Sequence, residues 1–291
     1  MHLRTTATRE GGPWLVYTTT RHPHSRRPWV GGLADRIRGM ISTYVLAQMT
    51  GRYFLINWTG PYRLDRHIVP HVHDWTIGNL DKVLSKERRF IHYDSIDDAS
   101  ILDTCLEEVA KVENRLIYVS ANLLHRGMVG RGREDGFVEE EFHRAFRDLF
   151  QLREYGPTGF FRDFDGLLGV QLRTGEGNGW SDPKMGRAED AGRLIEAAIS
   201  SAREMGVQHR GLFFTSDSLD AKDLARLQGA LVLDGPIAHL DRSTDVSLEA
   251  FDFTFNEFLA LSNCAAVFNN SGAFGITAAM TGGRPFRRII L

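Results

Sequence analysis

The chain has 291 residues, enough for one large domain or two smaller ones with separate cores. Its 35 Lys and Arg nearly balance 37 Asp and Glu, and the formal charge of −2 gives no global field for nucleic acid, leaving only local basic patches open. The two cysteines, Cys105 and Cys264, lack metal spacing and read as reduced core residues, which implies a reducing, cytoplasmic setting. There is no uncharged apolar run of about 18 residues, and the opening MHLRTTATREGGPW lacks an apolar leader core. A soluble chain without a membrane segment is therefore expected, with a removed anchor left open.

Trp14 to Tyr17 (WLVY) reads as a first strand and Thr18 to Val30 as a polar, basic loop. Gly31 and Gly32 then open a long helical pattern in which Leu33, Ile37, Ile41, Tyr44 and Val45 recur at helical spacing, with Gly51 as the stop. Tyr53 to Ile56 (YFLI) is the next strand. Strand, Gly-Gly turn, helix and strand make a βαβ unit, which predicts a parallel sheet. The Gly31–Gly32 turn puts a helix N-terminus at the sheet's carboxyl edge, where ligands bind in open α/β sheets. Asp35, Arg36 and Arg38 are the side chains on offer there, either to a ligand or as a solvated first turn with Asp35 at the positive end of the dipole.

Residues 57 to 133 are irregular. His67, His71 and His73 in HIVPHVH invite a metal reading, but Pro70 breaks any helix that would align them and no carboxylate-containing motif surrounds them. Ile101 to Val112 reads as a helix, Leu116 to Val119 as a strand and Val138 to Leu152 as an amphipathic helix. Tyr155 to Thr158 reads as a linker. The boundary is placed there, giving an N-terminal domain over 1–156 and a C-terminal domain over 157–291.

The second half carries the α/β rhythm more clearly. Strands are expected at Leu167–Leu172, Gly211–Thr215, Ala230–Leu233, Ala265–Phe268 and Arg288–Leu291. Helices are expected at Arg187–Met205, Leu219–Leu227, Glu249–Leu261 and Ser271–Met280. The stretch LLGVQLRTGEGNGW ends a buried strand in Arg173 and a glycine-rich loop. A guanidinium fork beside flexible backbone suits a phosphate or pyrophosphate. A surface turn beside a salt-bridged Arg is the competing reading.

In a parallel sheet the carboxyl ends of consecutive strands meet on one rim. That rim collects Arg173, the group Thr215–Ser216–Asp217–Ser218, and the group Asn269–Asn270–Ser271–Gly272 at a helix N-terminus. Hydroxyls, a helix end and an Arg, with no P-loop lysine, fit a nucleotide-sugar pyrophosphate better than ATP hydrolysis. These residues also serve commonly as helix caps.

GGLADRIRGMISTYVLAQMTGRYFLI, GVQLRT, FFTSDS and NEFLALSNCAAVFNNSGAFGITAAMTGGRP stand in the order of motifs of the fucosyltransferase superfamily. The chain resembles the xyloglucan α-1,2-fucosyltransferases most, and also the α-1,6-fucosyltransferases, including the bacterial nodulation type, and the protein O-fucosyltransferases. The resemblance implies an α/β GT-B fold, two Rossmann-like domains facing across a cleft, with the acceptor side on the N-terminal domain and the nucleotide sugar on the C-terminal one. It further implies an inverting, metal-independent transfer of fucose from GDP-fucose to a glycan hydroxyl. Under it, Arg173 contacts the donor pyrophosphate, and Ser271, Gly272 and Phe274 belong to the phosphate-holding loop, with Asn270 of the same rim expected at the donor beside them. Thr215, Ser216 and Asp217 are expected at the same donor. Glu257 matches a position that is usually aspartate and pairs with guanine. Gly31, Gly32 and Arg36, at the N-terminal loop, are expected to take part in donor binding, and Asp35, where relatives often carry asparagine, is the candidate base, with a helix cap as its competing role.

Three rival readings stay open. One is another nucleotide sugar, such as a xylose donor. A Rossmann oxidoreductase or methyltransferase is disfavoured, because the turn lacks a third glycine and no acidic residue closes the second strand. The last is a non-catalytic glycan-binding protein using Trp58, Trp75 and Trp180 as stacking platforms.

Overall fold

The computed structural model describes residues 8, 11–20, 31–78, 88–93, 107–111, 115–121, 136–153, 164–175, 185–240 and 246–291. The chain divides into two units, Met1–Leu152 and Arg153–Leu291. The expected linker at Tyr155 to Thr158 lies outside the described residues.

In the first unit, uninterrupted apolar runs become the inner strands. Strand β1 (Trp14–Thr18) and strand β5 (Leu116–Ala121) are buried along their whole length. They are flanked by β2 (Tyr53–Asn57) and β4 (Arg88–Tyr93) in the order β2-β1-β5-β4, every pairing parallel. Parallel strands are covered on both faces, which is why WLVY and LIYV read as continuous rather than alternating. Trp14, Val16, Leu55, Leu116 and Tyr118 form a core cluster.

Helix α1 (Leu33–Thr50) connects β1 to β2, with Gly32 at its N-cap and Gly51 closing it. Gly39 is where it lies nearest the sheet. A Cβ there would stand 1.9 Å from the Ala121 carbonyl oxygen and 2.7 Å from the Tyr17 ring, so only glycine admits the approach. Helix α2 (Gly136–Leu149) stops three residues short of the expected end. Phe150–Leu152 form β6 instead, antiparallel to β3 (Ile68–Pro70). Of the expected helix over Ile101–Val112, residues 107–111 are described and are helical.

The second unit repeats the scheme. Strands β7 (Leu167–Leu172), β8 (Gly211–Ser216), β9 (Ala266–Asn269) and β10 (Phe286–Arg288) stand in the order β10-β9-β7-β8, all parallel. The helices are α3 (Ala191–Glu204), α4 (Leu219–Leu227), α5 (Leu248–Asn263) and α6 (Phe274–Gly282). Leu168, Val170, Leu194, Ile195, Phe214 and Phe268 are central to the core.

Three more expected elements are corrected besides the end of α2. The strand at Ala230–Leu233 is a single bridge between Leu231 and Phe213. The last strand is Phe286–Arg288 rather than Arg288–Leu291, because Val267 and Phe268 on β9 set its register immediately after Pro285. Arg187–Met205 begins as a 3-10 turn over Ala188–Asp190 before becoming α-helical. No helix among the described residues is long and apolar enough to cross a membrane.

Candidate functional site

Register decides which residues meet. On the central ladder of the second unit, Leu172 pairs with Ser216 and Gln171 with Asn269. The next residues, Arg173, Asp217 and Asn270, therefore leave the sheet side by side. Asn270 holds the Arg173 backbone at two points, accepting its N–H at Oδ1 (2.7 Å) and donating from Nδ2 to its carbonyl (3.0 Å). Asp217 holds the two residues after Arg173. Its Oδ1 accepts from the Thr174 N–H (2.8 Å) and the Thr174 hydroxyl (3.1 Å), and its Oδ2 accepts from the Gly175 N–H (3.0 Å). The same Oδ2 lies 2.6 Å from Nη1 of Arg173, whose side chain is 21% exposed.

The third tip is shaped by Asn269, which is fully buried. Its Nδ2 donates to the carbonyls of Ser271 (2.9 Å) and Gly272 (3.3 Å) and lies 3.3 Å from Oε1 of Gln171. The chain turns there through Gly272, whose φ of 78° suits glycine, with the Arg173 stem 3.8 Å from where a Cβ would stand. Ser271 was expected to open the following helix. Instead Ser271–Ala273 form the turn, and α6 starts at Phe274 with Ala273 as its N-cap. The unsatisfied N–H groups and positive dipole end of α6 thus come directly after the turn that packs on Arg173. The Phe274 ring packs edge-to-face on Phe258 at 5.4 Å.

The remaining β8 residues serve the fold locally. Ser216 Oγ accepts the Ser218 N–H, and Ser218 caps α4 by accepting the Ala221 N–H. Thr215 is buried and hydrogen-bonds Glu257. Glu257, expected at the guanine, already has a partner within the chain. It is buried, with Oε1 2.7 Å from Nζ of Lys222, itself packed 4.6 Å from the Phe253 ring centre. Burial pushes the Glu257 carboxyl up from its ordinary range, and Lys222 and Thr215 oppose that shift. Asp217 lies near enough for its charge to act on Glu257 as well.

Sequence reading passed over Lys222 and Arg288. Lys222 shares the buried face of α4 with Ala221 and Ala225, and that spacing is the signal that marks it as inward. Arg288, paired in register with Asn269, donates from Nη2 to the Gly272 carbonyl at 3.3 Å.

The first unit gathers the other candidates. Asp35 accepts the Gly32 N–H at 3.2 Å, closing the first turn of α1 as a cap. Arg36 is buried, donating to the Gly31 carbonyl (2.8 Å) and the Gly60 carbonyl (2.6 Å) with its guanidinium 5.1 Å from the Trp58 ring. Its visible work is therefore to tie the glycine turn to the loop after β2. Trp75 is a core residue bonded to the Leu149 carbonyl, while Trp180 lies outside the described residues. The histidines separate: His67 is fully buried, His71 bonds the Arg147 carbonyl and His73 the Phe54 carbonyl. Among the described residues no cluster of three or more His, Cys, Asp or Glu could hold a metal ion.

No family model matches the chain and no curated protein matches its sequence. Solved structures do match its fold. A mutant of Arabidopsis thaliana FUT1 in complex with GDP superposes with a TM-score of 0.58 at 13% identity, covering 94% of this chain and 69% of the other. NodZ α-1,6-fucosyltransferase soaked with GDP-fucose gives 0.54 at 17% identity, covering 91% and 92%. POFUT1 in complex with GDP gives 0.53 at 10% identity, covering 94% and 98%. With a parallel-sheet α/β unit in each half and similarity over almost its whole length, this chain has the GT-B fold of the fucosyltransferases.

Proposed function

We propose that the chain is a glycosyltransferase that takes GDP-fucose and moves fucose to a glycan hydroxyl, inverting the anomeric centre without a metal. The observation that carries the reading is the union of three strand ends in the second unit, where Asn270 and Asp217 both hold the Arg173 loop. A departing nucleoside diphosphate needs positive charge placed in advance, and Arg173 with the N-terminus of α6 supplies two sources of it. Ser271 and Gly272 bring backbone close to the phosphates. Glu257 is assigned to the base end of the site as one member of its pair with Lys222.

The second unit, with a boundary near residue 156, is assigned to the donor and the first to the acceptor. There Gly31, Gly32 and Arg36 shape the loop, and Asp35 is the candidate base toward the acceptor hydroxyl, acting from its capping position. The fold shared with proteins crystallised with GDP or GDP-fucose supports this donor over a xylose donor.

Thermal unfolding with GDP, UDP, NAD and S-adenosylmethionine tests the class, since a ligand that binds only the folded state raises the midpoint. GDP is expected to stabilise the chain. Stabilisation by NAD but not by GDP or UDP overturns the reading. Incubation with GDP-fucose, a glycan panel and excess chelator then tests transfer, and the anomeric configuration of the product tests inversion.

A further inference from the structure

Asp217 sits at the proposed donor site as an acidic residue where a diphosphate must bind, an arrangement that costs electrostatic energy unless the carboxylate does something else there. Its hydrogen bonds show what that is. Oδ1 takes the Thr174 N–H and hydroxyl, and Oδ2 takes the Gly175 N–H and the Arg173 guanidinium. A carboxylate offers about four lone-pair positions, so these four donors saturate it. No acceptor capacity remains for a ribose or sugar hydroxyl, and its charge repels phosphate. The side chain is only 10% exposed, and all four donors belong to the loop leaving β7, so it is held in place.

Resting on the donor reading above, we infer that Asp217 is a positioning residue: it aims the Arg173 guanidinium at the diphosphate and does not touch the donor. Asn270 fixes where the Arg173 backbone leaves the sheet, and Asp217 fixes where its charged end points. Nη1 is held by Asp217, a geometry that turns the rest of the planar fork in a set direction, because the guanidinium is rigid.

The test is a cycle of Asp217→Asn and Arg173→Ala, read by titration calorimetry with GDP and with inorganic pyrophosphate. Asp217→Asn alone is expected to weaken both ligands by about tenfold, the scale of one misdirected charge-assisted contact. In the Arg173→Ala background the same change is expected to weaken neither, and to strengthen both slightly by removing a like charge. Equal weakening in the two backgrounds would mean a purely structural role and overturns the inference. Tighter binding in the wild-type background would mean a mere repeller and also overturns it. Should Asp217→Asn not fold, a crystal structure of the wild-type chain with GDP decides. Asp217 keeping its four partners supports the inference, and a hydrogen bond from Asp217 to the nucleotide refutes it. A wild-type chain that binds GDP and pyrophosphate yet transfers no fucose removes the transferase reading alone, while one that binds neither removes the donor reading and this inference with it.

Discussion

The amide side chain of Asn270 clasps the peptide units on either side of the Arg173 Cα, accepting the N–H at 2.7 Å and donating to the carbonyl at 3.0 Å. It extends the β7–β9 ladder by one residue with a side chain in place of a strand. Asn270→Asp keeps the acceptor but sets a carboxylate oxygen against the Arg173 carbonyl. That variant is expected to lose about 1–3 kcal/mol of stability, because the new carboxylate oxygen faces the Arg173 carbonyl with no donor between them, although the Gly186 N–H still reaches that carbonyl at 3.1 Å. Donor turnover is expected to fall roughly 10- to 100-fold, because the arginine leaves the sheet at a different angle. Urea unfolding and a GDP-fucose turnover assay check the two effects separately.

The Lys222–Glu257 pair is buried on both sides, with side chains 2% and 10% exposed. Breaking such a pair leaves an uncompensated charge, whereas replacing both members by apolar residues of similar volume is often neutral or better. Lys222→Met is expected to cost about 3–5 kcal/mol. Lys222→Met with Glu257→Leu is expected to recover most of that loss. If Glu257 contributes to the base end of the donor site, the double variant regains its unfolding midpoint without regaining GDP affinity, which calorimetry reads directly.

Gly39 is where α1 meets the sheet, and the obstacle to a side chain there is backbone, the Ala121 carbonyl. Backbone in a parallel ladder cannot move aside cheaply, so Gly39→Ala is expected to cost about 3 kcal/mol, at the upper end for overpacking a core. At the adjoining residue, the buried Met40, the change Met40→Leu nearly conserves volume and is expected to cost less than about 1.5 kcal/mol. Comparing the two variants by urea unfolding isolates the close approach from general disturbance of the helix. A Gly39→Ala chain with wild-type urea midpoint would show that the helix lies farther from the sheet.

His73 stacks on Tyr53 at 4.5 Å and lies with Nε2 2.8 Å from the Phe54 carbonyl. Burial lowers its pKa below the ordinary 6.5, and the Phe54 carbonyl, Asp74 and Asp148 only partly offset this. Since the folded form gives up its proton more readily than the unfolded chain, the unfolded state binds more protons below about pH 6.5. Stability is therefore fully present above that pH and falls as the pH drops through the interval down to the native pKa. His73→Phe removes this contribution, so the unfolding midpoint of the wild type should fall more steeply than that of the variant between pH 7 and pH 5 (roughly the titration range of histidine).

The βαβ rhythm, the limits of α1 and α4 and the inner strands were readable from the sequence, because buried parallel strands and capped helices leave local signals: WLVY, LLGVQL, Gly32 ahead of Leu33, and Ser218 ahead of Leu219. The meeting of Arg173 with Asp217 and Asn270 was foreseeable only as strand ends on one rim. Which atoms hold which depends on a register between segments more than 40 residues apart. The partner of Glu257 was hidden for the same reason. Spacing on α4 marks Lys222 as inward, but it does not name a carboxylate 35 residues away on another helix.

Composition and pattern alone therefore determined the α/β class, the parallel sheets and the residue types gathered at one edge, since these depend on periodicity and capping chemistry within a few turns of chain. The tertiary structure alone decided which groups meet at that edge: Arg173 paired with Asp217, Asp217 saturated by four donors, Asn270 bracing the Arg173 backbone and Glu257 paired with Lys222. Hydrogen-bond capacity is used up between distant segments, and only their packing shows where it has gone.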